Sequence, residues 1–325
     1  MEKQNAALLN KDGSAAFYDA RYSGHYMEEW PEAAKARVFE VIRTQNLPNV
    51  GQALDFGCGS GVMTEVLRQA LGSGWTVFGC DVSSVAISKA AELYPHCTFF
   101  QTDDPAHSGQ RFDFLFTHHV LEHVYDLRST VGEINSRMKP ASSMLHILPC
   151  GNEGSFEQRI ASMRSDGIDP RSGNRFFFED EGHVRRLTSD DLAATFSTVG
   201  FQVVSEFFRN QYQGAIDWIS SSPPSVIRSF VDLSKAKDDK ARSELERIRW
   251  KILLAWLLRF PSVVFETHLK RRRKHARDFL LLAATLPLYP LSKPAGWYLQ
   301  TKANREWNSR RTEHSGSEMF VYLRR

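Results

Sequence analysis

Between Gly51 and Phe208, short apolar runs alternate with stretches whose apolar positions recur at helical spacing. Gln52–Phe56, Trp75–Asp81 (WTVFGCD), Cys97–Gln101, Phe112–His118 (FDFLFTH) and Met144–Leu148 have the length and apolar density of buried strands. Val62–Leu71 repeats apolar residues at Val62, Val66, Leu67, Ala70 and Leu71, the period of a helix with one buried face. Ser83–Tyr94 reads as a second helix, with Ser83 or Ser84 able to cap its first turn. Leu127–Met138 reads as a third, ending at Pro140. Two later strands, Phe201–Phe208 and Glu318–Leu323 (EMFVYL), bring the number to seven. Strands alternating with helices predict βαβ units and a doubly wound, mostly parallel α/β sheet covered on both faces.

Two stretches interrupt this rhythm. Pro149–Ser189 is polar and rich in Gly and Arg (Arg159, Arg164, Arg171 and Arg175 among them), too long for an ordinary loop between helix and strand. Between Phe208 and Glu318 the pattern is helical, which predicts an insertion between the last two strands. The organisation expected is a helical lid segment at 1–50, a core at 51–208, a basic helix-rich insertion at 209–316 and a final strand at 317–325.

The chemistry concentrates in ALDFGCGSG, Ala53–Gly61. A strand ends near Asp55, and Gly57, Gly59 and Gly61 turn the chain into the next helix. Glycines let the turn adopt positive φ and let a ligand lie against bare backbone, while the N–H groups opening the helix face that ligand. Dinucleotide-binding folds use a related G-x-G-x-x-G bend for a pyrophosphate. Here the bend follows an acid, which would repel a pyrophosphate and suits a cationic amino group instead. Twenty residues beyond Gly61, Asp81 closes an apolar strand where a carboxylate can accept both hydroxyls of a ribose. Asp103 follows the third strand and suits an adenine amino group.

Taken together, LDFGCGSG, VFGCDVSSVAISKA, FFQTDDP and FDFLFTHHVLEHV, with the later GHVRRLTSDDLAATFSTVGFQVV and EMFVYL, resemble the class I S-adenosylmethionine (SAM)-dependent methyltransferases. The likeness is to the broad group that includes the ubiquinone and menaquinone methyltransferases, and it covers about residues 15–208 plus the last strand. It implies SAM as cofactor. It implies that Asp55 and Gly57, Cys58, Gly59, Ser60 and Gly61 hold its methionine part, Asp81 its ribose, and Asp103 with Asp104 its adenine. Val82 would cover the adenine face, and the backbone of Thr117–His118 would approach the cofactor amine. Tyr18 and Tyr22, in FYDARYSGHY, match the lid segment of this group.

A methyl group on a sulfonium is already activated, so alignment of the nucleophile matters most, and a base is needed chiefly when the acceptor is a hydroxyl. Histidine serves near neutral pH. His119, where the fourth strand opens toward the acceptor, is the first candidate, followed by His123 and His183. His119–His123 also reads H-V-L-E-H, the pattern of inverted zinc peptidases, in which a helix would put both imidazoles on one face with Glu122 as base. The SAM reading accounts for the same residues, and no metal ligands are assigned.

Charge adds a further expectation. Residues 1–234 hold 20 Lys and Arg against 29 Asp and Glu, a balance of −9, and residues 235–325 hold 21 against 9, a balance of +12. The longest uncharged run of the C-terminal third, Phe279–Ser292, would be a helix of about 21 Å, short of the ~30 Å hydrocarbon core. It is expected to lie along an anionic membrane surface with Lys270, Arg271, Arg272, Arg273 and Lys274 against phosphates, or to cap the acceptor pocket with its leucines buried in protein. An RNA methyltransferase would use the same basic residues, with Trp250, Trp256, Trp297 and Trp307 as stacking groups, but these tryptophans read as core. The remaining alternative is a non-catalytic SAM-binding regulator. No secretory signal is read in the first 20 residues, and four cysteines without a C-x-x-C pair exclude a disulfide scaffold, so the cytoplasm is expected, with peripheral contact on the inner membrane face. The expected reaction is methylation, at oxygen, of a small or lipid-like acceptor.

Overall fold

The computed structural model describes residues 11–24, 26–271 and 274–325. One sheet holds β1 (Gly51–Phe56), β2 (Trp75–Asp81), β3 (Thr98–Gln101), β4 (Phe112–His118), β5 (Met138–Pro149), β6 (Gln202–Arg209) and β7 (Glu318–Arg324), in the order β3-β2-β1-β4-β5-β7-β6. β1 runs parallel to β2 and β4, β2 to β3, and β4 to β5. This is the Rossmann-like, seven-stranded arrangement the alternating pattern predicts. Ala53, Leu54, Phe114, Leu115 and Phe116 are fully buried, because a central parallel strand has both faces covered. The strand order reverses between β1 and β4, so their carboxyl ends open into a crevice.

The chain divides into two compact units. The first comprises residues up to Leu148, Ser189–Glu206 and Phe320–Arg325. It contains helices α1 (Lys11–Ser23), α2 (Glu32–Thr44), α3 (Val62–Leu71), α4 (Ser84–Leu93) and α5 (Leu127–Ser136). α3 buries Val62, Met63, Val66, Leu67 and Ala70, close to the stripe that its spacing predicts. Ser83 caps α4, its Oγ accepting the Ala86 N–H at 3.1 Å. One expectation fails here: the third helix stops at Ser136, and β5 starts at Met138 and runs through Pro140. The ladder with β4 jumps from Phe112–Met138 to Phe114–Ser143, an irregularity in which a proline without an N–H is tolerated.

The second unit comprises Pro149–Thr188 and Phe207–Met319, with α6 (Phe156–Ser162) and α8 (Gln213–Ser221), α9 (Pro224–Phe230), α10 (Asp239–Lys270), α11 (Ala276–Thr285) and α12 (Tyr289–Arg310); α7 (Ser189–Ser197) belongs to the first unit. The expected 51–208 core is therefore divided. Phe156, Ile160 and Met163 share an apolar core with Ile219, Phe230, Leu245 and Ile252, and this draws the 149–188 segment to the helices. At its centre Arg186, itself buried, stacks 3.9 Å over Phe176 and donates to Glu179 (2.5 Å) and to the Cys150 carbonyl (2.9 Å), with Glu157 at 3.4 Å.

Further corrections concern α10 to α12. Trp307 is buried and Trp256 packs against the second unit's core, as expected, but Trp250 and Trp297 are exposed, as are Leu254, Leu257, Leu258, Leu280 and Leu291, so two of the four tryptophans and these leucines lie outside the protein core. By length and composition α10 is apolar enough to cross a bilayer, although Phe279–Ser292 is too short. Arg272 and Arg273 lie outside the described residues.

Candidate active site

A cavity of about 360 Å³ opens in the first unit where the bends after β1, β2 and β4 meet α1 and the segment before α2. Its floor is the glycine bend. Gly57 and Gly59 have φ of 78° and 52°. A Cβ on Gly57 would come within 2.5 Å of Val120, and one on Gly59 within 2.6 Å of the Tyr22 hydroxyl, so both the conformation and the close approach require glycine. The bend is tied to the neighbouring strand through Asp81. Its Oδ2 accepts the Gly59 N–H at 2.9 Å, and its Oδ1 accepts the Ser83 N–H at the same distance.

Two carboxylates are thereby buried in one wall. Burial pushes Asp55 up to about 7, helped by the Asp81 charge and opposed by the hydroxyl of Thr64, which donates to Oδ2 at 2.6 Å. Burial also raises Asp81, against the backbone N–H groups that stabilise its charged form. Among the described residues neither forms an ion pair with a lysine or arginine. A buried carboxylate without a cation is costly. A site with two of them suits a positively charged ligand.

The opposite wall is aromatic. α1 is held down by Asp19, which accepts from the Ser83 hydroxyl at 2.5 Å, and by Lys89, which donates to the Tyr22 carbonyl and pairs with Glu28. Tyr22 is buried, and burial raises its hydroxyl pKa. Tyr18 meets the His123 ring edge-on at 5.9 Å, and Trp30 meets His118 at 4.5 Å and His119 at 5.5 Å. His119 has φ of 56°, a strained conformation for a residue with a Cβ, held by its N–H to the Ile147 carbonyl at 2.8 Å. Its Nδ1 lies 3.1 Å from Oε1 of Glu122, which is fully buried.

Tyr18, Tyr22, Asp55, Gly57, Cys58, Gly59, Ser60, Asp81, Val82, His118, His119 and His123 all line this cavity. Five expected residues do not. Gly61 turns the chain into α3, with Tyr94, Ala90 and Phe99 against its backbone. Asp103 is exposed, and Asp104 caps the short turn at 105–107 by accepting from the Ala106 N–H; Thr102 takes their expected place in the lining. Thr117 turns into the sheet, where its hydroxyl meets Nδ1 of His146 at 2.8 Å. His183 belongs to the second unit and pairs with Glu179 there. The zinc-peptidase reading also fails, because 119–123 is a turn, not a helix. Sequence reasoning missed Trp30 and Met27, which carry no motif, Tyr26, which closes the FYDARYSGHY run without being singled out, and Thr102, whose N–H bonds to the Asp81 carbonyl at 3.0 Å.

Compared with known families, residues 22–206 match the one described as "Methyltransferase domain". The chain belongs to it. S-adenosyl-L-methionine is the cofactor of these enzymes, and the pair of buried acids beside bare backbone fits its cationic methionine part and its ribose. Over 101 residues this methyltransferase is 34% identical to the ubiquinone biosynthesis O-methyltransferase of Rhodopseudomonas palustris (strain BisB5), a match that covers 28% of the chain and 37% of that protein's length. The [4+2]-cyclase SpnF shares the fold over 97% of both chains at 14% identity and a TM-score of 0.51. Magnesium protoporphyrin IX methyltransferase from Synechocystis, solved with bound SAH, matches 61% of this chain and 93% of its own at 18% identity and a TM-score of 0.43.

Proposed function

We propose that the protein transfers the methyl group of SAM to a hydroxyl oxygen of a small or lipid-like acceptor. SAM supplies an activated methyl on a sulfonium; the chain must hold it, align the acceptor and take the acceptor's proton. In this reading Asp81 accepts the ribose hydroxyls, Asp55 faces the methionine ammonium, and Val82 lies on the adenine. The N–H groups that open α3 face the carboxylate.

The observation that carries the choice of oxygen is the His119–Glu122 pair on the cavity wall. The Glu122 carboxylate, 3.1 Å from Nδ1, would stabilise the positive charge that the imidazole gains when it takes the acceptor's proton. A base of this kind speeds attack by a hydroxyl and is of little use to an amine that is already neutral. The match to a ubiquinone biosynthesis O-methyltransferase supports the same acceptor chemistry.

The test is incubation with methyl-labelled SAM and a panel of phenols, quinols and hydroxylated lipids, read by mass spectrometry. Label on oxygen is expected, and label only on nitrogen or carbon would overturn the reading. His119→Ala should lower kcat by about 10²–10⁴-fold while SAM affinity stays within about twofold. Full activity in that variant removes His119 from the mechanism.

A further inference from the structure

In the second unit, the three-helix stretch at 255–300, from the C-terminal half of α10 through α11 to the first half of α12, has its polarity inverted. Its buried residues are polar: Ser262, Asp278, Thr285 and Ser292 are each at most 8% exposed. Glu266 joins the helices through Tyr289, whose hydroxyl donates to it at 3.1 Å, and through Lys293; Asp278 accepts from Arg271 at 2.9 Å and from the His275 N–H at 2.7 Å. The large apolar side chains point the other way. Leu254, Leu257 and Leu258, at helical spacing, form one stripe of α10, and Leu280 on α11 and Leu291 and Trp297 on α12 are exposed too, each more than half. α10 is apolar on two faces, and the unit's own core covers only one of them, the face that carries Leu245, Ile248 and Ile252. A set of helices that turns its hydroxyls and carboxylates inward and its leucines outward is arranged for an apolar surrounding, not for water.

We propose that this face seats in the headgroup–acyl boundary of an anionic phospholipid bilayer. The charge pattern selects that occupant. Residues 250–300 hold nine Lys and Arg against two acids, Glu266 and Asp278, both already engaged within the three helices. Exposed basic residues bracket the apolar stripe, with Arg249 and Lys251 at one end and Lys270, Lys274 and Arg277 at the other. Basic flanks around an apolar stripe match lipid phosphates around acyl chains. Two copies facing each other would oppose like charges. The face lies along the membrane and does not traverse it, because α10 is anchored by its other side and Pro261 interrupts its backbone bonding. The inference does not rest on methyl transfer.

The test is flotation of the full chain with vesicles of phosphatidylglycerol and phosphatidylcholine, and with phosphatidylcholine alone. Binding to the anionic vesicles is expected, with a several-fold loss in high salt and quenching of tryptophan fluorescence by lipids brominated on their acyl chains. The Leu257→Glu/Leu291→Glu double variant changes only exposed positions and should bind at least about tenfold more weakly. No flotation with anionic vesicles would overturn the proposal. So would wild-type retention in the double variant, or self-association in the ultracentrifuge that the double variant abolishes while vesicle binding persists. Quenching of the wild-type chain decides the matter should the variant fail to fold.

Discussion

The two units each bury a pair of carboxylates, and only the second sets a guanidinium between its two. In the second, Glu157 and Glu179 flank Arg186. Burial alone would raise Glu179, but the guanidinium and His183 outweigh it and bring the carboxyl down to about 2, while burial still raises Glu157 against the same guanidinium, 3.4 Å away. In the first, burial raises both Asp55 and Asp81, and among the described residues no basic side chain pairs with either. A charge met within the chain is part of the architecture; a charge the chain leaves unmet is an invitation to a cation from outside. SAM carries two such cations, a sulfonium and an ammonium, and the polarity of the bend after β1 is explained by them.

The largest effect should come from breaking the satisfied pair. Arg186→Met removes one charge and strands two, and losing one partner of a buried ion pair costs about 3–5 kcal/mol. Urea unfolding should show that loss, with Arg186→Lys recovering part of it. A variant as stable as the parent would mean that the cluster contributes no net stability, and the contrast between the units would go with it.

Next in size is Asp81→Ala. It takes away the acceptor expected for the ribose hydroxyls and also releases the Gly59 and Ser83 N–H groups. A charge-assisted hydrogen bond contributes about 1.5–3 kcal/mol, so SAM affinity measured by calorimetry should fall by about thirtyfold. Unchanged affinity would refute the ribose role.

How far the sequence announced this site depends on whether local backbone or tertiary contact decides. Gly57, Gly59 and Asp81 are legible because a tight bend after a strand restricts the residue types that can occupy it. The resemblance implied the backbone of Thr117–His118 at the cofactor amine; of the two residues only His118 lines the cavity, because neighbouring side chains in a strand face opposite sides. The register with β5 gives His146 to Thr117 and leaves His118 to the crevice. Asp103 and Asp104 failed by one or two residues, because the chain has already left the site after Thr102. Trp30 could not be read at all: its place against His118 and His119 comes from the docking of the N-terminal segment, which no local pattern encodes. The inverted polarity of α10–α12 was half legible. The apolar runs and basic blocks stand in the sequence, while the inward turn of Ser262, Thr285 and Ser292 required the packing.

The smallest effect on cofactor binding is a pH dependence, and it tests the comparison at its most sensitive point. Asp55 titrates near pH 7 in the folded chain and near 4 when unfolded, so its ionisation opposes folding. The stability it contributes is complete below about pH 4 and is lost as pH rises through about 7. The unliganded protein should therefore melt at a lower temperature at pH 8 than at pH 5, and Asp55→Asn should remove most of that difference. Cofactor affinity should run the other way, because only the ionised carboxylate attracts an ammonium. If binding follows the ionised fraction, affinity rises roughly eightfold between about pH 6 and pH 7.5, with uptake of the cation releasing a proton over the same range. Calorimetry in buffers of different ionisation enthalpy counts that proton. A flat affinity profile with no proton release would place Asp55 outside the charge balance of the bound cofactor, and a profile that persists in Asp55→Asn would assign it to another group.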